Sequence, residues 1–480
     1  MICISVTPQS RRFAKADLLN ASRQCDLIEL CLDRLIKPPD MAELLSAVDK
    51  PVLVSCRRSE DGGHWKGDEE QRVTLLRESI VAGPAWVELD LAIAKKVPRY
   101  GETRRVVSST SLYKPLGQID AIFEQAADAD ADVVKFTWPT PTLEAAWPLL
   151  AAVSGERRLP VVGMGLGRCG LTFSLLGRKY GSPWIYAALE RGMEAYEGQP
   201  TVRDLDEVHR WRSIERGTKF VGVAGFSDAA LGLVRDFNQA ADRLDLGRRW
   251  LPLAWDDPSK LLTMLDVLKI TGVLAVSADG ERLVDLAEHR EAAVEAGGHA
   301  DLLLKRDDGW HAYGSLWRAV IMQLESTLGG GGSDDRPLDR RNVLVIGSGG
   351  LAAALVFGVC RRRGLVSVSS GDDVAARQLA AAAGVRHVPS QNLYDTLADV
   401  VLLADPDLKV GTKKTELNPA FLRPPMLVLD AAQLDADSPL LTEARERGCS
   451  VVEPSAVRRD LLATWFSSIT GQELPANDTR

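Results

Sequence analysis

Within the first 190 residues, short apolar runs rich in β-branched side chains recur eight times, most of them followed by a longer helix-forming stretch. The runs are Ile2–Val6, Leu27–Leu32, Val52–Ser55, Trp86–Leu91, Arg105–Ser109, Asp132–Phe136, Val161–Met164 and Trp184–Ala187. Runs that are apolar throughout predict strands covered on both faces. Eight β-then-α units are the number in a TIM barrel, and ~200 residues is the small end of that fold's range. An open doubly wound sheet is the other arrangement that the pattern permits.

Past Lys219 the pattern restarts, with a strand expected at Phe220–Ala224, a helix at Ala229–Leu244 and a strand at Val273–Val276. The stretch LGGGGSDDRPLD reads as a flexible linker. Expected boundaries are therefore 1–215 for the barrel, 216–328 for a second domain, 329–340 for the linker and 341–480 for a third domain. Formal charge is −8, and the densest basic cluster, Arg361-Arg362-Arg363, lies between an apolar helix and a strand, so no nucleic-acid partner is expected. Seven scattered cysteines without a Cys-x-x-Cys pair suit a reducing compartment, and no disulfide frame or metal site is legible. The N-terminal MICISVTPQSRR is too short and too quickly charged for a signal peptide. No apolar run reaches the ~18 residues of a membrane span. A cytoplasmic protein, free of membrane, is the expectation.

The third domain opens on NVLVIGSGGLAAALVFGVCRRRG, a strand, a glycine turn and a helix. Gly347 permits the turn, Gly349 lets backbone approach a pyrophosphate, and Gly350 helps the helix start, with Ala352 at the close-packing position. Helix N–H groups then face the phosphates. This is the Rossmann pattern and leaves NAD or NADP binding open. The second strand, Leu365–Ser369, leads into SSGDD. No lysine or arginine stands there for a 2′-phosphate, whereas Asp372 or Asp373 suits a ribose hydroxyl.

IELCLD, CRRSEDGGHWKGDEEQR, VELDLA, ADVVKF, GMGLGRCG and KYGSPWIYAALE followed by EGQ resemble, in order and spacing, type I 3-dehydroquinate dehydratase. KFVGVAGF, GSGGLA and the closing ITGQELP look like shikimate dehydrogenase. The arrangement is similar to the fused dehydratase–dehydrogenase of plants over nearly the whole chain. The resemblance implies an α/β protein: an N-terminal (β/α)8 TIM barrel, a shikimate-dehydrogenase-like substrate domain and a C-terminal Rossmann domain. It implies a lyase that needs no cofactor and forms a Schiff base between Lys135 and the ketone of a small carboxylate substrate. Lys135 sits in the apolar run DVVKF at the expected C-terminal end of strand six, where such barrels place their chemistry. Burial is expected to lower its pKa and yield the neutral amine that attacks a carbonyl.

Glu29, Arg57 and Asp61 fall at family active-site positions, Asp61 standing for a glutamate, and Gln199 falls at the substrate-contacting glutamine. Elsewhere the chain departs from the family. Thr110 stands where the catalytic histidine is expected, Ser174 where an arginine pairs with the substrate carboxylate, Ala195 for a serine and Cys31 for an arginine. Threonine does not titrate near neutrality and does not shuttle protons as imidazole does. His64, the only histidine before His209, lies on the loop after strand three and is a candidate replacement. In the dehydrogenase half, Leu231 and Leu233 replace two carboxylate-binding serines ahead of a matching Asn238. Gly280, Leu316 and Leu461 stand for a catalytic lysine, its aspartate partner and a glutamine. The expectation is an imine-forming barrel joined to an inactive dehydrogenase half. The alternatives are a non-catalytic binding or regulatory pseudoenzyme of the aromatic amino-acid pathway, and a Rossmann unit with an unrelated redox substrate. A homo-oligomer remains open.

Overall fold

The structure is a computed structural model that describes residues 1–276, 280–329, 336–411, 413, 416–434 and 438–475. Residues 330–335 of the expected linker lie outside that description. The chain divides into two compact units, Met1–Lys269 and Ile270–Arg480.

The first unit begins with β1 (Ile2–Val6), α1 (Arg11–Ser22), β2 (Leu27–Cys31), α2 (Met41–Ser46), β3 (Val52–Ser55), α3 (Glu69–Val81), β4 (Trp86–Asp90) and α4 (Leu91–Ala94). It continues through β5 (Arg104–Thr110), α5 (Ile119–Asp128), β6 (Val133–Pro139), α6 (Leu143–Ser154), β7 (Val161–Leu166), α7 (Gly170–Tyr180) and β8 (Ile185–Ala188). The strands pair in the order β7-β6-β5-β4-β3-β2-β1-β8, each pair parallel. Because β8 joins β1, the sheet wraps into a nearly closed barrel with helices outside, and the open doubly wound sheet is excluded. Helix starts are set locally: Asp68 and Gln71 form a reciprocal capping box on α3, and Thr142 caps α6.

The barrel interior is layered. Cys3, Leu27, Leu53, Trp86, Val106, Val133 and Val162, one from each of the first seven strands, pack with Trp184, just ahead of β8, into a common apolar cluster. Two residues further along each strand the chain places Ser5, Glu29, Ser55, Glu88, Ser108, Lys135, Met164 and Tyr186, all buried. Since side chains alternate along a strand, residues i and i+2 share a face, so this second, mostly polar layer lies directly on the apolar floor. The strands therefore carry inward polar groups, contrary to the expectation of runs that are apolar throughout. Strand β6 also runs past its expected end, paired with β7 as far as Pro139 and Leu166. Lys135 is thus inside the strand, not at its C-terminus.

The same unit ends with β9 (Lys219–Ala224), α8 (Asp228–Arg243), β10 (Arg248–Leu253) and α9 (Pro258–Leu268). Strands β9 and β10 are parallel. The β10 end docks on the barrel's helices: Thr172 Oγ1 donates to Pro252 O at 2.6 Å, and the Leu143 amide donates to Ala254 O at 2.9 Å. Asn238 is fully buried. Its Nδ2 donates to Val208 O and Trp250 O, and its Oδ1 accepts from the Trp250 amide at 2.8 Å. Every polar atom of this side chain is engaged by main chain, so Asn238 is a structural pin, whatever its match to a substrate-domain position.

The second unit holds β11 (Gly272–Leu274), α10 (Gly280–Val284), β12 (His289–Arg290), α11 (Ala292–Gly297), β13 (Leu302–Arg306), β14 (Gly309–Tyr313) and α12 (Leu316–Thr327). Strand β13 is antiparallel to β11 and β14, and β12 lies parallel to β14. After these come β15 (Asn342–Ile346), α13 (Gly350–Arg361), β16 (Leu365–Ser369), α14 (Asp373–Ala383), β17 (Arg386–His387) and β18 (Val400–Leu403). The unit closes with β19 (Leu427–Asp430), α15 (Pro439–Glu446), β20 (Ser450–Val451) and α16 (Pro454–Thr470). Strand order β17-β16-β15-β18-β19-β20 is the doubly wound order of a Rossmann sheet, with its switch point beside the glycine turn after β15. No helix among the described residues is long and apolar enough to cross a membrane.

Replacing Asn238 with alanine leaves the Trp250 amide and two carbonyls buried without partners, at about 1–3 kcal/mol for each group. Asn238→Ala is expected to expose the Trp250 amide to rapid hydrogen exchange and to lower the urea midpoint of the first unit.

Candidate active site

Lys135 is 1% exposed. Its Nζ donates to Glu88 Oε2 at 2.8 Å and lies 4.4 Å from the centre of the Tyr186 ring. Glu29, likewise buried, accepts from Ser5 Oγ at 2.7 Å and from Ser55 Oγ at 2.9 Å. Gln199 extends this chain of polar groups, its Nε2 3.4 Å from Ser5 Oγ and its Oε1 accepting from the Ala195 amide. The barrel mouth thus gathers Lys135, Glu29, Gln199 and Glu88 above one apolar floor. Glu88 was not singled out from the sequence, although like Lys135 it is a charged side chain flanked by apolar residues within a strand.

Burial by itself lowers the pKa of Lys135, but the Glu88 carboxylate, with Glu29 behind it, outweighs burial and holds the ammonium well above its ordinary range. The neutral amine expected from burial alone is therefore not the resting state. Burial raises the Glu29 pKa, yet Lys135 and Arg57, helped by the two serine hydroxyls, pull it below the usual carboxylate value. Glu88 goes the other way. Burial and repulsion from Glu29 exceed the pull of Lys135 and raise its pKa. The two carboxylates beside one ammonium are thus shifted in opposite directions by their surroundings.

Arg57 follows β3 and is 5% exposed. Its Nε is 3.6 Å from Asp33 Oδ1, and its guanidinium stacks on Tyr196 at 4.7 Å. None of its three guanidinium nitrogens has a hydrogen-bond partner among the described residues. A buried guanidinium left this way is costly unless an anion completes it. Asp61 takes a different place: its carboxylate accepts from Arg58 Nε at 2.7 Å, and only its main-chain carbonyl, which accepts from Tyr196 Oη at 3.1 Å, faces the roof of the site. Tyr196, Tyr186, Gln199, Ser174 and Met164 enclose a cavity of about 10 Å³, the room of one water.

His64 lines a separate, open cleft of about 1170 Å³ together with Asp33, Arg34, Lys37 and Trp65. Its ring is half-exposed, with Nδ1 3.9 Å from Asp33 Oδ2, and it is not one of the groups packed about Lys135. The geometry does not support it as the replacement base. Thr110 ends β5, opposite Thr137 of β6.

At the glycine turn, Gly347 has φ +143°, and a Cβ there would meet Ala404 C and O at 3.0 Å. A Cβ on Gly349 would meet nothing within 4 Å, so backbone at that point is open to a pyrophosphate. Gly350 has another role: its Cβ position is filled by Gly297 O and His299 Cβ, both at 2.7 Å. It is a glycine of packing between α11 and α13. Asp372 caps α14 through the amides of Val374 and Ala375. Asp373 pairs with His387 and Arg377. The turn fits a phosphate, while both aspartates expected at the ribose are engaged elsewhere.

A family model for type I 3-dehydroquinase matches residues 2–216. The chain is 24% identical over 475 residues to the chloroplastic bifunctional 3-dehydroquinate dehydratase/shikimate dehydrogenase of Arabidopsis thaliana, covering 94% of this chain and 78% of that one. It is 27% identical over 207 residues to the 3-dehydroquinate dehydratase of Methanosarcina mazei, covering 39% of this chain and 86% of the relative. A solved structure of dehydroquinate dehydratase and shikimate dehydrogenase from S. pombe is similar at 16% identity and a TM-score of 0.43, covering 99% of this chain and 96% of that one.

Glu88→Gln removes the strongest influence that keeps Lys135 charged. The lysine pKa is expected to fall, and the neutral fraction near pH 8 to rise about tenfold for each unit of the fall. Carbamylation of Lys135 by cyanate, followed by peptide mass mapping, reads this directly. An unchanged rate would place the charge control elsewhere.

Proposed function

Residues 2–216 belong to the type I 3-dehydroquinase family, joined to shikimate dehydrogenase-like domains as in the plant bifunctional protein, and on that footing we propose that the barrel dehydrates 3-dehydroquinate to 3-dehydroshikimate through an imine on Lys135. One observation carries the reading: a buried lysine hydrogen-bonded to Glu88 shares its cage with a buried arginine lacking hydrogen-bond partners. The two fit a ketone and a carboxylate on one small molecule.

In this scheme Glu88, hydrogen-bonded to Lys135 Nζ at 2.8 Å, takes the ammonium proton as the substrate enters. The freed amine adds to the ketone, and the resulting carbinolamine loses its hydroxyl as water to give the imine. The imine withdraws electrons from the neighbouring C–H bond. A base takes that proton, the hydroxyl on the next carbon leaves as water, and hydrolysis of the imine restores Lys135. With threonine at position 110, Glu88 is the group placed to carry these protons. Arg57 meets the substrate carboxylate, since Ser174 offers no positive charge, and Glu29 holds the cationic imine by charge.

We further propose that the dehydrogenase half has no shikimate dehydrogenase activity. Supporting this, Leu233 and Leu461 are buried apolar side chains at two positions that the family reserves for polar groups, and Asn238 is consumed by main chain. The turn at Gly347–Gly349 suits a dinucleotide pyrophosphate, and the absence of lysine or arginine from Ser369 to Asp373 favours NAD over NADP. Seven free cysteines, five of them buried, support a reducing, cytoplasm-like compartment.

Borohydride added with 3-dehydroquinate is expected to reduce the imine and fix a mass adduct that maps to Lys135. Lys135→Met is expected to abolish it, and Arg57→Leu to raise KM at least tenfold, equivalent to about 1.4 kcal/mol. No adduct, while a control lysine-dependent dehydratase is trapped, would turn the reading toward a non-catalytic binding protein. In thermal-shift titrations NAD is expected to raise the melting point of the second unit more than NADP. The reverse order would overturn the nucleotide assignment.

A further inference from the structure

Strand β12 is only two residues long and is held to the sheet edge by its parallel pairing with β14, His289 opposite His311. The two imidazoles face each other with ring centres 4.5 Å apart. Both turn Nε2 toward the same residue, Asp308, in the tight turn between β13 and β14. His311 Nε2 lies 2.7 Å from Asp308 Oδ1. His289 Nε2 lies 3.7 Å from Asp308 Oδ2 and 3.1 Å from the Asp308 carbonyl. One ligand atom from each of the three residues falls within 4.8 Å of the other two. Gly309 completes the turn with φ +130°, a backbone conformation that favours glycine.

We infer that His289, Asp308 and His311 form a site for a borderline divalent transition metal, of which Zn²⁺ is the natural probe. Two imidazole nitrogens and one carboxylate oxygen are a donor set that suits Zn²⁺, Ni²⁺ or Cu²⁺, whereas Mg²⁺ and Ca²⁺ take oxygen ligands. Zinc bonds of about 2.0–2.1 Å at tetrahedral angles set ligand atoms about 3.3 Å apart. The two histidine nitrogens lie 2.7 and 3.7 Å from the two oxygens of the Asp308 carboxylate, and all three ligand atoms fall within 4.8 Å of one another, so side-chain rotation without backbone movement brings them to a shared ion. The ion takes the place of the hydrogens through which Asp308 now holds both rings, and the rings' exposure leaves the remaining positions to water. The ligands come from an edge strand and from the hairpin beside it. Binding therefore staples β12 to β14 and adds its free energy to the stability of this sheet. None of the three residues belongs to the barrel chemistry.

Titration calorimetry of the full, EDTA-stripped chain with Zn²⁺ tests the site, with Mg²⁺ as the oxygen-preferring control. One zinc per chain is expected. His289→Ala and His311→Gln, both at the surface, are expected to weaken that binding at least tenfold each. His387→Ala, whose ring pairs with Asp373 in the same unit, is expected to bind as the wild type does. Zinc is also expected to slow amide exchange in β14 of the wild type and not of the two variants. Equal zinc affinity in wild type, His289→Ala and His311→Gln would assign the metal to cysteines or other histidines and overturn the inference. No zinc binding by the wild type would overturn it as well.

Discussion

Taking an ammonium and a carboxylate out of water costs several kcal/mol for each ion, and their attraction only about restores it. The Lys135–Glu88 pair at the barrel mouth is therefore a poor device for stability alone. Its presence constrains everything near it. A second carboxylate, Glu29, is buried beside the pair and is shifted in the opposite sense to Glu88. Ser5 and Ser55, with Lys135 and Arg57, stabilise its anion. The apolar floor beneath keeps water from dissolving the arrangement. Breaking such a buried pair from one side costs about 3–5 kcal/mol, which ties the charge balance of the site to the integrity of the barrel.

Much of this was legible in the residues. A lysine inside DVVKF has no surface explanation, and Glu29 inside IELCLD reads the same way. Eight apolar runs with helical spacers pointed to a parallel sheet covered on both faces, and the pairing of β8 with β1 decided for a barrel over an open sheet. What escaped the sequence was depth. Polar groups spaced two residues above an apolar one look like interruptions in a run, and only the alternation of the strand turns them into a layer. Glu88 was missed for that reason. Asp61 shows the opposite case: the structure engages its carboxylate with the neighbouring Arg58, a pairing that the motif position does not disclose.

The second unit repeats the lesson at other distances. Gly350 belongs to a dinucleotide pattern, but the space beside it is taken by Gly297 and His299, some fifty positions earlier in the chain. Asp372 and Asp373 suit a ribose by position and are instead consumed by a helix cap and by a histidine–arginine pair. Asn238 is similar: its place in a motif says nothing of the main-chain groups that its amide must satisfy. Each of these side chains has a short-range partner that residue type alone does not disclose.

The bond from the Tyr196 hydroxyl to the Asp61 carbonyl gives the roof of the barrel an unusual kind of heritability. Its acceptor is main chain, so the identity of residue 61 can drift through any side chain without releasing the latch. What holds the tyrosine is then set by groups other than the side chain of residue 61: the Arg57 guanidinium stacked on its ring, and Gly62, where a Cβ would lie 2.6 Å from that ring. The charge at position 61 and the anchoring of the tyrosine are thus independent of one another.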